Sequence, residues 1–360
     1  MKNKIYITGI AIALVLSACT KHTIIEETIT EVGQGPAEVD YYGVWKPQVT
    51  STNNTEYYVF EKGSAYCKVL GLESSGFKYA YYNTVLVTAT HFRIAGEGNR
   101  RYSLVGDTLT FIGGWDGPDE RQVFVRVTDG SVDPAAWLKE LKVLRSVFLP
   151  AYNQNNVSTQ TSFGIDGDFL YISSWSNNWK IYKFNTLNGM HVDSASSISN
   201  NINAMHFKGN SNKLYLTNYT GTQTMQQRTG LAGANSNLSS NSLNSIYAIS
   251  TNGSSGTVYA ANSGNQIYSG SEGGNFSSLF TFTGNYPRCN VYYKSDQFLG
   301  VYNNTLVLYE ISPSFKIIQQ YALPGAQNVY QSIATNGTDI WVLTYNGSKN
   351  RYEYKKVALN

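Results

Sequence analysis

The residues whose types could do chemistry are few, and most sit where chemistry is hard to arrange. Paired carboxylates, one as acid and one as base, would cleave a glycosidic bond. The available candidates Asp166, Asp168, Asp296 and Asp339 all lie in or beside Gly-, Asn- or Ser-rich turns, where Asp is expected as a turn former. No Gly-x-Ser-x-Gly, Walker loop or His-Glu-x-x-His occurs, so the usual hydrolase, nucleotide and zinc-protease signatures are missing. His22, His91, His191 and His206 are scattered, and Cys19, Cys67 and Cys289 form no Cys-x-x-Cys. We therefore expect no catalytic residue, no metal, no cofactor and no enzymatic activity. What recurs instead is a set of five positions, Trp175, Tyr219, Asn262, Tyr302 and Tyr345, each followed by a turn rich in Asn, Gly, Ser or Thr. Aromatic planes beside amides suit sugar rings, which stack on one and hydrogen-bond to the other, and they suit protein hot spots equally. The alternative is that these side chains pack inside the fold.

The N-terminus explains where such a site would be displayed. Lys2 and Lys4 precede an apolar run from Ile5 to Leu16 that ends in Ser17-Ala18. The run is too short to span a bilayer with its flanks, and residues 1–18 read as a secretory signal rather than an uncleaved anchor. Leu16-Ser17-Ala18-Cys19 resembles the lipobox of bacterial lipoproteins. That resemblance implies cleavage before Cys19, lipidation of its thiol and amine, and stable membrane anchoring by several acyl chains. Thr20 in place of Asp after the Cys implies, by the same resemblance, the outer membrane of the cell envelope. Loss of Lys2 and Lys4 takes the 27 basic residues to 25 against 24 acidic ones, a mature charge of about +1. No basic stripe appears, so a nucleic-acid partner is not expected. In an oxidising compartment Cys67 and Cys289 could pair, but they fall in different domains and buried free thiols are the expectation.

Composition limits the elements that must position the site. Apolar residues make up 42% of the 360, charged residues only 14%, with 28 Tyr and 32 Gly. An average domain carries about 25% charge; low charge with many Tyr, Gly and Asn indicates turn-rich β structure. Residues 19–40 cannot fold alone and read as a flexible stem. Residues 41–130 predict eight strands, near 43–48, 56–61, 65–70, 77–82, 84–94, 101–105, 108–112 and 122–127. Gly106-Asp107 between two alternating runs is a hairpin signal. Eight antiparallel strands suggest a small up-and-down barrel. Gly43-Val44-Trp45 opening the first strand resembles the lipocalin family, which implies a basic residue, here Arg126 or Arg121, against Trp45. Residues 131–145 predict one connecting helix: Asp133 as N-cap, Pro134 in the first turn, and Trp137, Leu141 and Leu144 along one face.

The remainder repeats. Leu170, Leu214, Val258, Phe298 and Ile340 head similar strands spaced 44, 44, 40 and 42 residues apart. A period near 42 with three or four short strands per unit is the mark of a β-propeller blade. The last unit lacks a fourth strand and residues 146–150 form a spare one, so residues 146–360 predict a five-bladed ring closed by that strand. The fold class is therefore all-β, a lipocalin-like barrel plus a five-bladed propeller joined by one helix. The five positions above end the second strand of each blade and would share one face. Five-bladed propellers include glycoside hydrolases, which keeps a carbohydrate-active enzyme as the alternative, but the expected innermost strands hold no Asp or Glu. The favoured reading is a lipid-anchored, non-enzymatic binding or scaffold protein whose partners are the membrane and a glycan or protein ligand.

Overall fold

The computed structural model describes residues 41–49, 54–88, 91–94, 98–113, 120–149, 163–173, 180–196, 202–218, 222–303, 305–323, 332–346 and 351–359. The expected signal, Cys19 and the expected stem lie outside them, as do Trp175 and Tyr219. The described residues form two compact units, one running up to Leu72 and from Ala80 to Trp137, the other of Glu73–Tyr79 and the chain from Leu138 onward.

The first unit is a curled antiparallel sheet of eight strands in sequence order: β1 (Gly43–Pro47), β2 (Asn54–Phe60), β3 (Tyr66–Glu73), β4 (Lys78–Val87), β5 (His91–Ile94), β6 (Gly98–Val105), β7 (Thr108–Ile112) and β8 (Arg121–Arg126). β1 pairs with both β2 and β8, which closes the barrel. Alternation places one residue in two inside; in β7 these are Leu109 and Phe111. The interior is filled by a run of aromatic rings. Tyr58, Phe124, Phe111, Phe92 and Phe60 follow one another at centroid distances of 5.0, 5.3, 5.0 and 5.1 Å, and most of these contacts are edge-to-face, the favoured geometry.

Trp45 is fully buried, and the Arg126 guanidinium lies 4.5 Å from its ring centre. Arg126, not Arg121, is therefore the basic residue against the tryptophan. It also donates to the Tyr42 carbonyl at 2.5 Å and lies 3.1 Å from Asp107. The glycine two residues before Trp45 has a physical reason. Gly43 has φ +129°, and a Cβ there would stand 3.1 Å from the Arg126 guanidinium.

The predicted helix over 131–145 is not formed. Its start signal is real: Asp133 Oδ1 accepts from the backbone N–H groups of Ala135 and Ala136 at 2.9 and 3.2 Å. Only a turn follows, and then two strands, β9 (Lys139–Glu140) and β10 (Lys142–Val147). Leu144, expected on the buried face, is 51% exposed. Sheet edges in the second unit offer this segment ladder bonds, and tertiary pairing overrides a helix propensity worth only tenths of a kcal/mol per residue.

The second unit contains five four-stranded sheets. They are β11 (Phe163–Asp166) to β14 (His191–Ser196); β15 (Ile202–Lys208) to β18 (Ser236–Asn244); β19 (Ile246–Thr251) to β22 (Ser277–Thr281); β23 (Arg288–Lys294) to β26 (Lys316–Ala322); and β27 (Ser332–Thr335), β28 (Ile340–Asn346), β29 (Arg351–Ala358) with β10. The innermost strands β11, β15, β19, β23 and β27 each touch the next, and β27 touches β11, so the five-bladed arrangement comes full circle. β10 pairs antiparallel with β29 and supplies the missing fourth strand of the last blade. The closing strand is thus Lys142–Val147 rather than 146–150, and the unit takes in the chain from Leu138 rather than from 146. β9 adds a fifth, parallel strand outside β26. Asp166 is the last residue of β11, so one innermost strand does end in a carboxylate.

Adjacent blades are joined by a device that the repeat contains in plain view. The residue after each anchor is Tyr171, Tyr215, Tyr259, Leu299 or Trp341. Tyr171 stacks on Phe207 of the next blade at 4.6 Å, and Tyr259 on Tyr292 of the next at 4.8 Å. Tyr215 shares a buried cluster with Ile249 of the next blade, Leu299 with Ile333, and Trp341 with Phe163 and Ile165 of the first blade. Small residues let the inner strands approach: at Gly164 a Cβ would lie 3.3 Å from the backbone nitrogen of Phe207.

Candidate recognition site

Antiparallel pairing with the innermost strand sends every second strand the same way, so the second-strand ends share one face. Asn262 ends β20 (Val258–Asn262), Tyr302 ends β24 (Gln297–Tyr302), and Tyr345 lies one residue from the end of β28, where it pairs with Tyr352. The strand before Trp175, Phe169–Ser173 (β12), and the strand before Tyr219, Lys213–Asn218 (β16), run the same way. Trp175 and Tyr219 themselves lie outside the described residues.

Two of the five have described side chains, and each is engaged by the chain itself. Asn262 holds its own hairpin: its Oδ1 accepts from the Gln266 N–H at 3.0 Å and its Nδ2 donates to Gln266 Oε1 at 3.4 Å. Tyr302 stacks on Phe77, with ring centres 4.1 Å apart and planes at 25°. Its hydroxyl donates to Glu73 Oε2 at 2.6 Å. Burial, and then the Glu73 hydrogen bond and charge, push the Tyr302 phenol well above its usual range.

Glu73 is the centre of this arrangement. Its buried carboxylate also accepts from Asn285 Nδ2 at 2.5 Å, Asn303 Nδ2 at 3.3 Å and Ser75 Oγ at 3.3 Å. Four residues on, Phe77 is fully buried and packs against Tyr302 and Phe315. Next, the Gln320 side chain brackets the backbone of Lys78, accepting its N–H at 2.8 Å and donating to its C=O at 2.9 Å. Sequence reasoning placed Tyr302 but missed Glu73, Phe77, Asn285 and Gln320. The partners are 212 to 242 residues apart, and no local pattern links them.

The turns after the innermost strands, at the other ends of the blades, hold the carboxylates. Asp168 pairs with Arg145 at 3.2 Å and Asp339 with Lys356 at 2.8 Å. Asp296 occupies a left-handed turn position at φ +60°. Burial raises the Asp166 carboxyl above its usual range, against the pull of Lys183. Glu272 bridges two blades, bonded to Lys208 at 2.8 Å and also to Lys213 and the Tyr215 hydroxyl. Burial alone would raise its carboxyl; the three donors outweigh it and hold the group down at about 2. Among the described residues no cluster of three His, Cys, Asp or Glu could hold a metal ion. Cys67 is buried in the first unit, and burial pushes the Cys289 thiol up to about 11.

His206 sits behind Glu272 on β15, its Nε2 3.0 Å from the Thr251 hydroxyl and its ring tilted against Tyr215. Burial, then the Lys208 charge, push the imidazole down to about 4. The unfolded chain, with an ordinary histidine near 6.5, binds the proton first. Stability is therefore fully present above about pH 6.5 and is lost as pH falls toward 4, by about 3 kcal/mol in all. Glu272 extends the loss, since its lowered value stabilises the fold above the usual carboxylate range and fails toward pH 2. Melting temperature should fall between pH 6.5 and 4, and His206→Gln should flatten that part of the curve. An unchanged slope in His206→Gln would refute the assignment.

No protein-family model matches the sequence, and no curated protein matches it. Among solved structures, a chain in the crystal structure of a nidogen/laminin complex overlaps with this one at 9% identity, covering 78% of this chain and 94% of that chain with a TM-score of 0.37. At that distance nothing about that complex carries over. The class of protein is defined by the geometry alone, an all-β chain with a five-bladed propeller arrangement, a fold suited to binding or scaffolding.

Proposed function

We propose that this chain is an exported lipoprotein, anchored through lipid on Cys19, that works as a non-enzymatic recognition module in the cell envelope, with the outer membrane as its site. The face formed by the second-strand ends is its binding surface. One observation carries the reading: at blade four that face holds a carboxylate and an aromatic ring through Tyr302, Asn303 and Asn285, so its chemistry already performs recognition. Trp175, Tyr219 and Tyr345 give the corresponding positions of three other blades the same aromatic character. A glycan or an envelope protein is the ligand class that stacking planes beside amides would take. The Leu16-Ser17-Ala18-Cys19 run supports the anchor.

The test uses the mature protein on a glycan array and in pull-downs from envelope extracts, with Tyr219→Ala and Tyr345→Ala beside it. Binding should fall at least tenfold in each variant while the melting temperature holds. A loss of about 3–5 kcal/mol of stability at both positions would make them packing residues instead. Cys19→Ser should leave the membrane fraction, and unchanged fractionation would remove the anchor from the account.

A further inference from the structure

The seven residues Glu73–Tyr79 belong to the second unit. They form a tight turn. The Glu73 N–H donates to the Phe77 carbonyl at 2.9 Å and the Gly76 N–H to the Glu73 carbonyl at 2.9 Å, so carboxylate and ring project from one tight turn. Gly76 has φ +87°, which permits the turn.

We propose that the blade-four site of Tyr302, Asn303, Asn285, Phe315 and Gln320 is a peptide-recognition site for a turn that carries a carboxylate four residues before an aromatic ring, and that Glu73–Tyr79 fills it in cis. The inference rests on the reading of this face as a recognition surface and names the ligand class of one part of it. Three separate features support it. The carboxylate is met, among the described residues, by neutral donors only: a phenol, two amides and a serine hydroxyl. Such a cage stabilises a fold less than apolar residues of the same volume would, but it discriminates sharply for a carboxylate. The Phe77 ring meets two aromatic rings, Tyr302 and Phe315. Gln320, itself buried, reads main chain through a two-point amide pair, which accepts any side chain at that position. When Glu73 and Phe77 leave, the donors of Tyr302, Asn285 and Asn303 lose their acceptor, and a second acidic–aromatic turn restores it.

The experiment uses the full chain carrying Glu73→Ala and Phe77→Ala, and a fluorescent peptide of residues 71–81. Anisotropy should show saturable binding to the double variant and at least tenfold weaker binding to the native chain, whose site is filled. The same peptide with its Glu73 equivalent changed to Ala should bind at least tenfold more weakly. A folded double variant that ignores the peptide, or that binds both peptides alike, overturns the proposal. Where the double variant does not fold, Glu73→Gln in the full chain replaces it: excess peptide should speed hydrogen exchange at the Lys78 N–H by displacing it from Gln320, and unchanged exchange overturns the proposal. Peptide failure alongside binding that depends on Tyr219 and Tyr345 would sink this inference alone. Failure of the array and pull-downs alongside peptide binding would sink only the broader ligand assignment.

Discussion

A chain that begins at residue 138 will stay soluble and melt cooperatively, and a chain that begins at 148 will aggregate. The two differ by β9 and β10. β10 pairs through Lys142, Val143, Arg145, Ser146 and Val147 with Ala358, Val357, Lys356, Lys355 and Tyr354 of β29. Each ladder bond is worth about 1 kcal/mol net, and Val147 is buried against the first blade's core. Loss of the strand therefore removes several kcal/mol from a total of about 5–15, and it leaves the eight-residue strand Arg351–Ala358 as an open edge, a template for pairing with other chains. Both chains lack Glu73–Tyr79, so that loss cancels in the comparison. Size-exclusion elution and a thermal melt read the outcome; equal behaviour would mean that β10 does not close the ring.

Trp341→Ala will cost about 3–5 kcal/mol, as expected for a large buried ring in a core that cannot collapse around the gap. Trp341 is 1% exposed and belongs to the cluster of Phe163, Ile165 and Leu343 where the last blade meets the first. Tyr302→Phe, by contrast, keeps the ring stacked on Phe77 and removes only the hydroxyl that donates to Glu73. It should cost about 1–3 kcal/mol, the worth of one hydrogen bond to a carboxylate, while Asn285 and Ser75 go on donating to the same oxygen. Chemical denaturation of the two variants checks the order. A Trp341→Ala loss no larger than that of Tyr302→Phe would mean that the anchor-plus-one side chains do not hold the blades together.

The repeat was legible because each blade restates it. Antiparallel strands of one period, with turns at fixed offsets, give five nearly independent readings of the same register. The spare strand before the first blade was legible for a related reason, since the last blade visibly lacks a fourth strand, although its bounds came out four residues late. The segment 131–145 misled because its signals are local and true: Asp133 does cap a turn. What decides its fate is the unpaired edges of β26 and β29, which lie some 180 to 220 residues away. The Glu73 site was hidden by the same kind of distance. The second-strand ends drew attention in the sequence, while the residue just after each anchor, also aromatic in four blades of five, meets the next blade through Tyr171 on Phe207 and Tyr259 on Tyr292. Arg126 against Trp45 was legible only through resemblance, and the Gly43 contact supplies its physical cause.

The proposed recognition face requires the ring to be closed in this register, and a disulfide across the closing pair tests that directly. Arg145 of β10 and Lys356 of β29 are register partners. With Cys67 and Cys289 changed to Ser, Arg145→Cys and Lys356→Cys together should oxidise to a crosslink that encloses the whole propeller and shifts mobility on a non-reducing gel. Pairing Arg145→Cys with Val342→Cys, on the neighbouring strand β28, should give none. Crosslinking at the second pair, or at neither, would contradict the closed five-bladed ring.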